Sequence, residues 1–130
     1  MDSELTVTLS VRDGAAACDF YREAFDATEL NRVTSPDGDV VGEFAVGRAR
    51  FFVADEAPEY GNISPPEPTE CSVRIGLFVD DPDGLVERAV AAGATVVAPV
   101  SDQDYGYRLG RIVDPFGHHW EIARPLHARA

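Results

Sequence analysis

Residues 5–12, Leu5-Thr6-Val7-Thr8-Leu9-Ser10-Val11-Arg12, alternate apolar and polar without a break. That is the period of a strand with one face in a core and the other on something wetter. By this count Leu5, Val7, Leu9 and Val11 share the core face, and Thr6, Thr8, Ser10 and Arg12 share the other. At Asp13 the period changes. Ala17, Phe20, Tyr21, Ala24 and Phe25 recur at helical spacing behind an N-capping aspartate, which predicts a helix to about Phe25. Short strands are predicted near 27–34, 40–46 and 49–55, separated by turn chemistry at Ser35-Pro36-Asp37-Gly38 and by a tight hairpin at Gly47-Arg48.

Residues 56–70 interrupt the pattern with four prolines (Pro58, Pro65, Pro66, Pro68) and no periodicity, and read as an unstructured connector. The pattern then restarts. Ser72-Val73-Arg74-Ile75-Gly76-Leu77-Phe78-Val79 alternates as a strand, and Asp81-Pro82 supplies an N-cap with proline at the first helical position. Leu85, Val86, Ala89 and Val90 form the apolar stripe of that helix, and Gly93 is its stop. Further strands are predicted near 95–100, 107–113 and 118–124. The strand–aspartate–helix units at Val11-Arg12-Asp13 and Val79-Asp80-Asp81 lie 68 residues apart, so one half of the chain repeats the other: strand, helix, three strands, twice.

The closing strand carries the candidate chemistry. Asp114-Pro115-Phe116-Gly117 suits a type I turn, and in the strand after it His119 and Glu121 point the same way, about 6.6 Å apart. Trp120 and Ile122 take the opposite, core face, and Phe51 is also assigned to the core. A carboxylate facing inward is costly unless something compensates its charge. His118, in the turn, is read as a hydrogen-bonding partner of the hairpin.

A chain of 130 residues is one domain of common size. Its net charge of −12 excludes nucleic acid and anionic membrane as partners, since both need a basic footprint. No apolar run is long enough to span a membrane, and the acidic start Met1-Asp2-Ser3-Glu4 is unlike a secretory signal, so a cytoplasmic location is expected. In that setting Cys18 and Cys71, without metal-type spacing, read as buried free thiols.

The two βαβββ halves, the opening Val7-Thr8-Leu9-Ser10-Val11-Arg12-Asp13 with Phe20-Tyr21, and the closing DPFGHHWEIA at 114–123 resemble the vicinal oxygen chelate superfamily. The likeness is nearest to PhnB-like proteins and the glyoxalase/bleomycin resistance group, and covers residues 5–124. The resemblance implies an α+β fold: one domain whose two modules (about 5–55 and 71–124, joined by 56–70) form a curved mixed sheet with a cleft, completed in a homodimer. Metal enzymes of the superfamily commonly take one ligand from each of four strands. Carried onto this chain, those positions fall on Thr6, near Phe52, on Arg74 and on Glu121. Only Glu121 keeps a ligand-type side chain, and a guanidinium repels a divalent ion.

No metal or other cofactor is therefore expected. Arg74 is expected to supply the positive charge, pairing with Glu121 or with an anionic ligand. The alternative is a divalent metal at Glu121 and His119. By the alternations, Thr6, Thr8, Ser10, Arg74, Gly76, Phe78, His119 and Glu121 face the side the family's cleft occupies. Tyr105-Gly106-Tyr107-Arg108 falls where the bleomycin resistance group has an aromatic-glycine segment followed by arginine. It reads either as an aromatic wall with Arg108 as polar handle or as a plain edge loop.

The expected ligand-binding set is thus Thr6, Thr8, Phe52, Arg74, Phe78, Tyr105, Arg108, His119 and Glu121. The expected function is metal-free binding of a small molecule, an antibiotic or metabolite, with aromatic or cationic ligands suited to the acidic chain. The rival is an enzyme: a metal-dependent lyase, isomerase or dioxygenase with a non-standard ligand set, or a metal-free one using Glu121 and His119 as catalytic groups. A third reading is an accessory module with a vestigial cleft.

Overall fold

Asp13 leaves the first strand in extended backbone and its side chain accepts the Ala16 N–H, satisfying one of the donors a helix start leaves unpaired. A computed structural model of the chain describes residues 2–127. In it the first helix, α1, runs Gly14–Phe25 and ends at Asp26 in the left-handed conformation (φ 54°). It buries the expected stripe, Ala17, Phe20, Tyr21, Ala24 and Phe25. This stripe packs on a four-stranded sheet made of β1 (Thr8–Val11), β2 (Thr28–Thr34), β3 (Val40–Val46) and β4 (Ala49–Asp55), in the order β1-β4-β3-β2. The Tyr21 ring meets Phe51 edge-on at 5.3 Å, and Phe51 stacks on Phe44 at 5.6 Å. At the end of β4, Asp55 accepts the N–H of Gly14 and of Val40, each at 2.7 Å, tying the start of the helix to the start of β3. A Cβ at Gly14 would lie 2.7 Å from that carboxylate, so this close approach requires glycine.

From Glu67 the chain builds a second compact unit of the same plan, the first ending at Pro66. Its strands are β5 (Arg74–Phe78), β6 (Thr95–Asp102), β7 (Tyr107–Val113) and β8 (His119–Pro125), in the order β5-β8-β7-β6. The helix α2 (Pro82–Ala92) is capped by Asp81, whose side chain accepts the Gly84 N–H. Leu77, Val86, Ala89, Ile112, Trp120 and Ile122 fill the layer between helix and sheet. In each sheet the first and last strands pair in parallel and the remaining pairs are antiparallel. The fold is the expected α+β arrangement, two mixed four-stranded sheets with one helix each. Among the described residues no helix is long and apolar enough to cross a membrane.

Three expectations need correction. The first strand begins at Thr8, and Leu5, assigned to the core, is 91% exposed. A strand extends only as far as its neighbour supplies hydrogen bonds, and this ladder opens where the Val7 carbonyl accepts the Phe52 N–H. The connector is not structureless. Ala57 and Asn62 exchange both backbone hydrogen bonds around a 3-10 turn at Pro58–Tyr60, closed by Gly61 in the left-handed region. Its proline and glycine are turn positions rather than linker composition. Of the two free cysteines Cys18 is buried, as expected, but Cys71 is exposed.

Candidate ligand-binding site

Because β8 lies between β5 and β7, each of its residues has a cross-strand neighbour on either side. Glu121 stands opposite Gly76 of β5 and Arg111 of β7. One row away, His119 stands opposite Arg74, which reaches along the sheet so that its Nε donates to Glu121 Oε1 at 3.2 Å. Arg111 Nη2 lies 3.8 Å from Glu121 Oε2, an ion pair beyond hydrogen-bond distance. The Arg74 pairing expected from strand alternation is present. The side chain of Arg74 is half exposed, so the pair contributes little to stability. Its weight is in the charge it sets on this face.

In the direction away from Arg74, Phe78 follows Gly76 on the same face, half exposed. Its ring centroid lies 5.5 Å from that of Tyr107, which lies 6.2 Å from that of Tyr105. Three rings from β5, β7 and the loop before β7 therefore form a ladder beside the charged group. Phe78 also borders a cavity of about 380 Å³ at the ends of β5 and β8, together with Asp80, Arg124 and His127.

Two residues depart from the roles expected of them. His119 is only 3% exposed, and its Nε2 lies 2.7 Å from the Pro68 carbonyl. A carbonyl only accepts, so Nε2 carries the proton. The ring's Nδ1 is buried without a partner. The imidazole is therefore held under the segment entering the second unit and does not line an open surface. Arg108 points to the other face of β7. Its guanidinium takes both carboxylate oxygens of Asp83 on α2 at 2.7 Å and Asp102 of β6 at 2.8 Å. The Asp83 carboxyl is pulled below its usual value by these hydrogen bonds, and the guanidinium is pushed up. Arg108 is a strap between helix and sheet.

On the face it shares with Glu121, β7 presents Tyr107 and Arg111. The signal was available: counting alternate residues along β7 puts Tyr107, Leu109 and Arg111 on one face and Arg108, Gly110 and the buried Ile112 on the other.

The remaining expected residues belong to the first unit. Thr8 pairs with Phe52, and Phe52 with Glu43, which is held by Arg50 at 3.0 Å. Thr6 is exposed and precedes β1.

A divalent metal does not fit these residues. Glu121 is hydrogen-bonded to one guanidinium and faced by a second, and Nε2 of His119 is occupied by Pro68. Among the described residues no three His, Cys, Asp or Glu side chains converge as a metal site would require.

Residues 5–122 match the model of the Glyoxalase/Bleomycin resistance protein/Dioxygenase superfamily. An uncharacterised protein of Mycobacterium bovis is 39% identical over 97% of this chain and 86% of its own length. Among solved structures, TioX from Micromonospora sp. ML1 aligns with a TM-score of 0.75 at 27% identity, covering 96% of this chain and all of TioX. The fosfomycin resistance protein FosX from Listeria monocytogenes, solved with Mn(II) and 1S,2S-dihydroxypropylphosphonic acid, aligns at 0.72 and 19% identity. That alignment covers 96% of this chain and 94% of FosX, a likeness of fold alone.

Proposed function

As the chain belongs to the glyoxalase/bleomycin resistance protein/dioxygenase superfamily, we propose that it is a metal-free binding protein for a small organic molecule, an antibiotic or metabolite. The ligand is taken on the open face of the second sheet. The observation that carries this reading is Glu121 lying between Arg74 and Arg111. At the position where the resemblance puts the superfamily's last metal ligand, this chain has a carboxylate already compensated by guanidinium groups. The Phe78, Tyr107 and Tyr105 rings supply the apolar side of a small-molecule site. Thr6, Thr8 and Phe52 are proposed as ligand-binding residues of the first unit, and a homodimer in the cytoplasm as the working state.

Native mass spectrometry of protein taken directly from its host tests this reading. The expected result is a dimer that retains an organic mass or accepts one from a metabolite library, without stoichiometric metal. A stoichiometric divalent ion, or catalytic turnover abolished by a chelator, would replace it with the metal-enzyme reading.

A further inference from the structure

Gly76 is a glycine that its own strand does not need. It lies inside β5, its φ is outside the left-handed region, and a Cβ built there would meet no atom within 4 Å. Glycine weakens a strand interior, and where neither backbone nor packing requires it the remaining use is to leave room for something that approaches closely. The room lies opposite Glu121, with Arg74 and Phe78 two residues to either side on the same face. Across β8, the Arg111 side chain is only 26% exposed, yet among the described residues its guanidinium makes no hydrogen bond. Two guanidiniums face one carboxylate, so this patch of a strongly acidic protein carries a local positive charge.

We propose that this recess binds an aromatic monocarboxylate, which deepens, and rests on, the small-molecule-binding reading above. The ligand's ring lies over Gly76 against Phe78 and Tyr107, and its carboxylate takes the open donors of Arg111, which then bridges it to Glu121. At this row the backbones of β5 and β7 are about 9.6 Å apart, two strand spacings, a span that a bicyclic aromatic acid fills. A cationic ligand, suggested by the overall charge, would have to draw Glu121 away from Arg74 while lying beside two guanidiniums. Local charge decides against it.

Isothermal titration calorimetry with three isosteric probes, 2-naphthoate, 2-naphthalenemethanol and 2-naphthylmethylammonium, tests the inference. Naphthoate is expected to bind at least about tenfold more tightly than the alcohol, the range of one charge-assisted hydrogen bond, and the ammonium to bind weakest. Arg111→Gln should reduce naphthoate to the level of the alcohol, and Arg111→Lys should restore part of the difference. Gly76→Leu should abolish binding of naphthoate with no fall in melting temperature, because the Cβ it adds meets no atom within 4 Å. Alcohol or ammonium binding as tightly as naphthoate, or an Arg111→Gln protein with unchanged naphthoate affinity, would overturn the acid inference and leave the binding reading standing. If no probe binds at millimolar concentration, the acid inference falls, and the binding reading is decided separately by the native mass spectrometry.

Discussion

Replacing Asp114 by alanine removes the anchor of the turn that places Glu121. Asp114 is 4% exposed, and its Oδ1 accepts the N–H of Phe116 at 2.9 Å and of His118 at 3.0 Å, while Oδ2 accepts the Trp120 indole N–H at 2.9 Å. The backbone bonds from Asp114 N–H to His118 and from Gly117 N–H to Asp114 survive the change, and water can reach part of the turn. It cannot reach the indole, because Trp120 is 1% exposed. Leaving a buried donor unpaired costs about 1–3 kcal/mol, and each lost bond to a charged acceptor adds about as much before resolvation. The expected loss is about 3–5 kcal/mol, a large part of the roughly 5–15 kcal/mol that a domain commands. At this chain length it corresponds to a fall of very roughly 10–20 °C in Tm. Urea unfolding followed by Trp120 fluorescence, from the single tryptophan of the chain, reads the loss at its origin. Asp114→Asn keeps an acceptor oxygen and should lose less than half as much. A loss below about 1 kcal/mol for the alanine variant, within the range of ordinary surface substitutions, or equal losses for the two variants, would refute the account of the turn.

Three further outcomes follow from the structure. Asp55→Ala should cost about 2–3 kcal/mol by freeing the Gly14 and Val40 N–H groups, with Asp55→Asn recovering part of it in the same urea assay. The Asp83 carboxyl is held low by Arg108, and that of Glu56 by the Ser64 N–H. Groups whose folded pKa is depressed stabilise above the unfolded value of about 4 and lose that contribution as pH falls through the folded value. Melting temperature should therefore drop below about pH 4, and Arg108→Gln should flatten the drop. Burial pushes the Cys18 thiol up, while Cys71 is exposed. One thiol per chain should react quickly with iodoacetamide in native protein and two in urea, and two fast thiols in native protein would contradict the burial of Cys18.

What was legible in the sequence was local. The cap at Asp13, the stripe from Ala17 to Phe25 and the hairpin at Gly47 depend on residues within a turn or two of each other, and they fall where the periodicity puts them. The Arg74 to Glu121 pair was legible too, because parity along two strands fixes the facing side and a carboxylate facing inward needs compensation. The misreadings involve distant partners or neglected parity. His119 was assigned to an open surface because nothing local announces a carbonyl contributed by Pro68, 51 residues away. The start of β1 depends on where β4 offers hydrogen bonds. Arg108 was assigned from family resemblance alone, whereas alternation along β7 puts Arg111 on the face of Glu121.

The topology explains why a charged row arises at this place. In each unit the last strand enters the sheet between the first and the third, so each of its paired residues is the centre of a three-residue row. In the first unit the row is Thr8, Phe52, Glu43, and in the second, 68 or 69 residues on at each position, it is Gly76, Glu121, Arg111. A metal site needs neighbours that offer lone pairs. In the second unit the neighbours of the carboxylate are an absent side chain and a guanidinium, with Arg74 adding another from the next row. The row therefore presents donors to an acceptor rather than lone pairs to a cation. Trp120 and Ile122 hold the opposite face of β8 in the core, so the row can change its chemistry without disturbing the packing. The same scaffold occurs twice, and different residues on one face give each copy its own row.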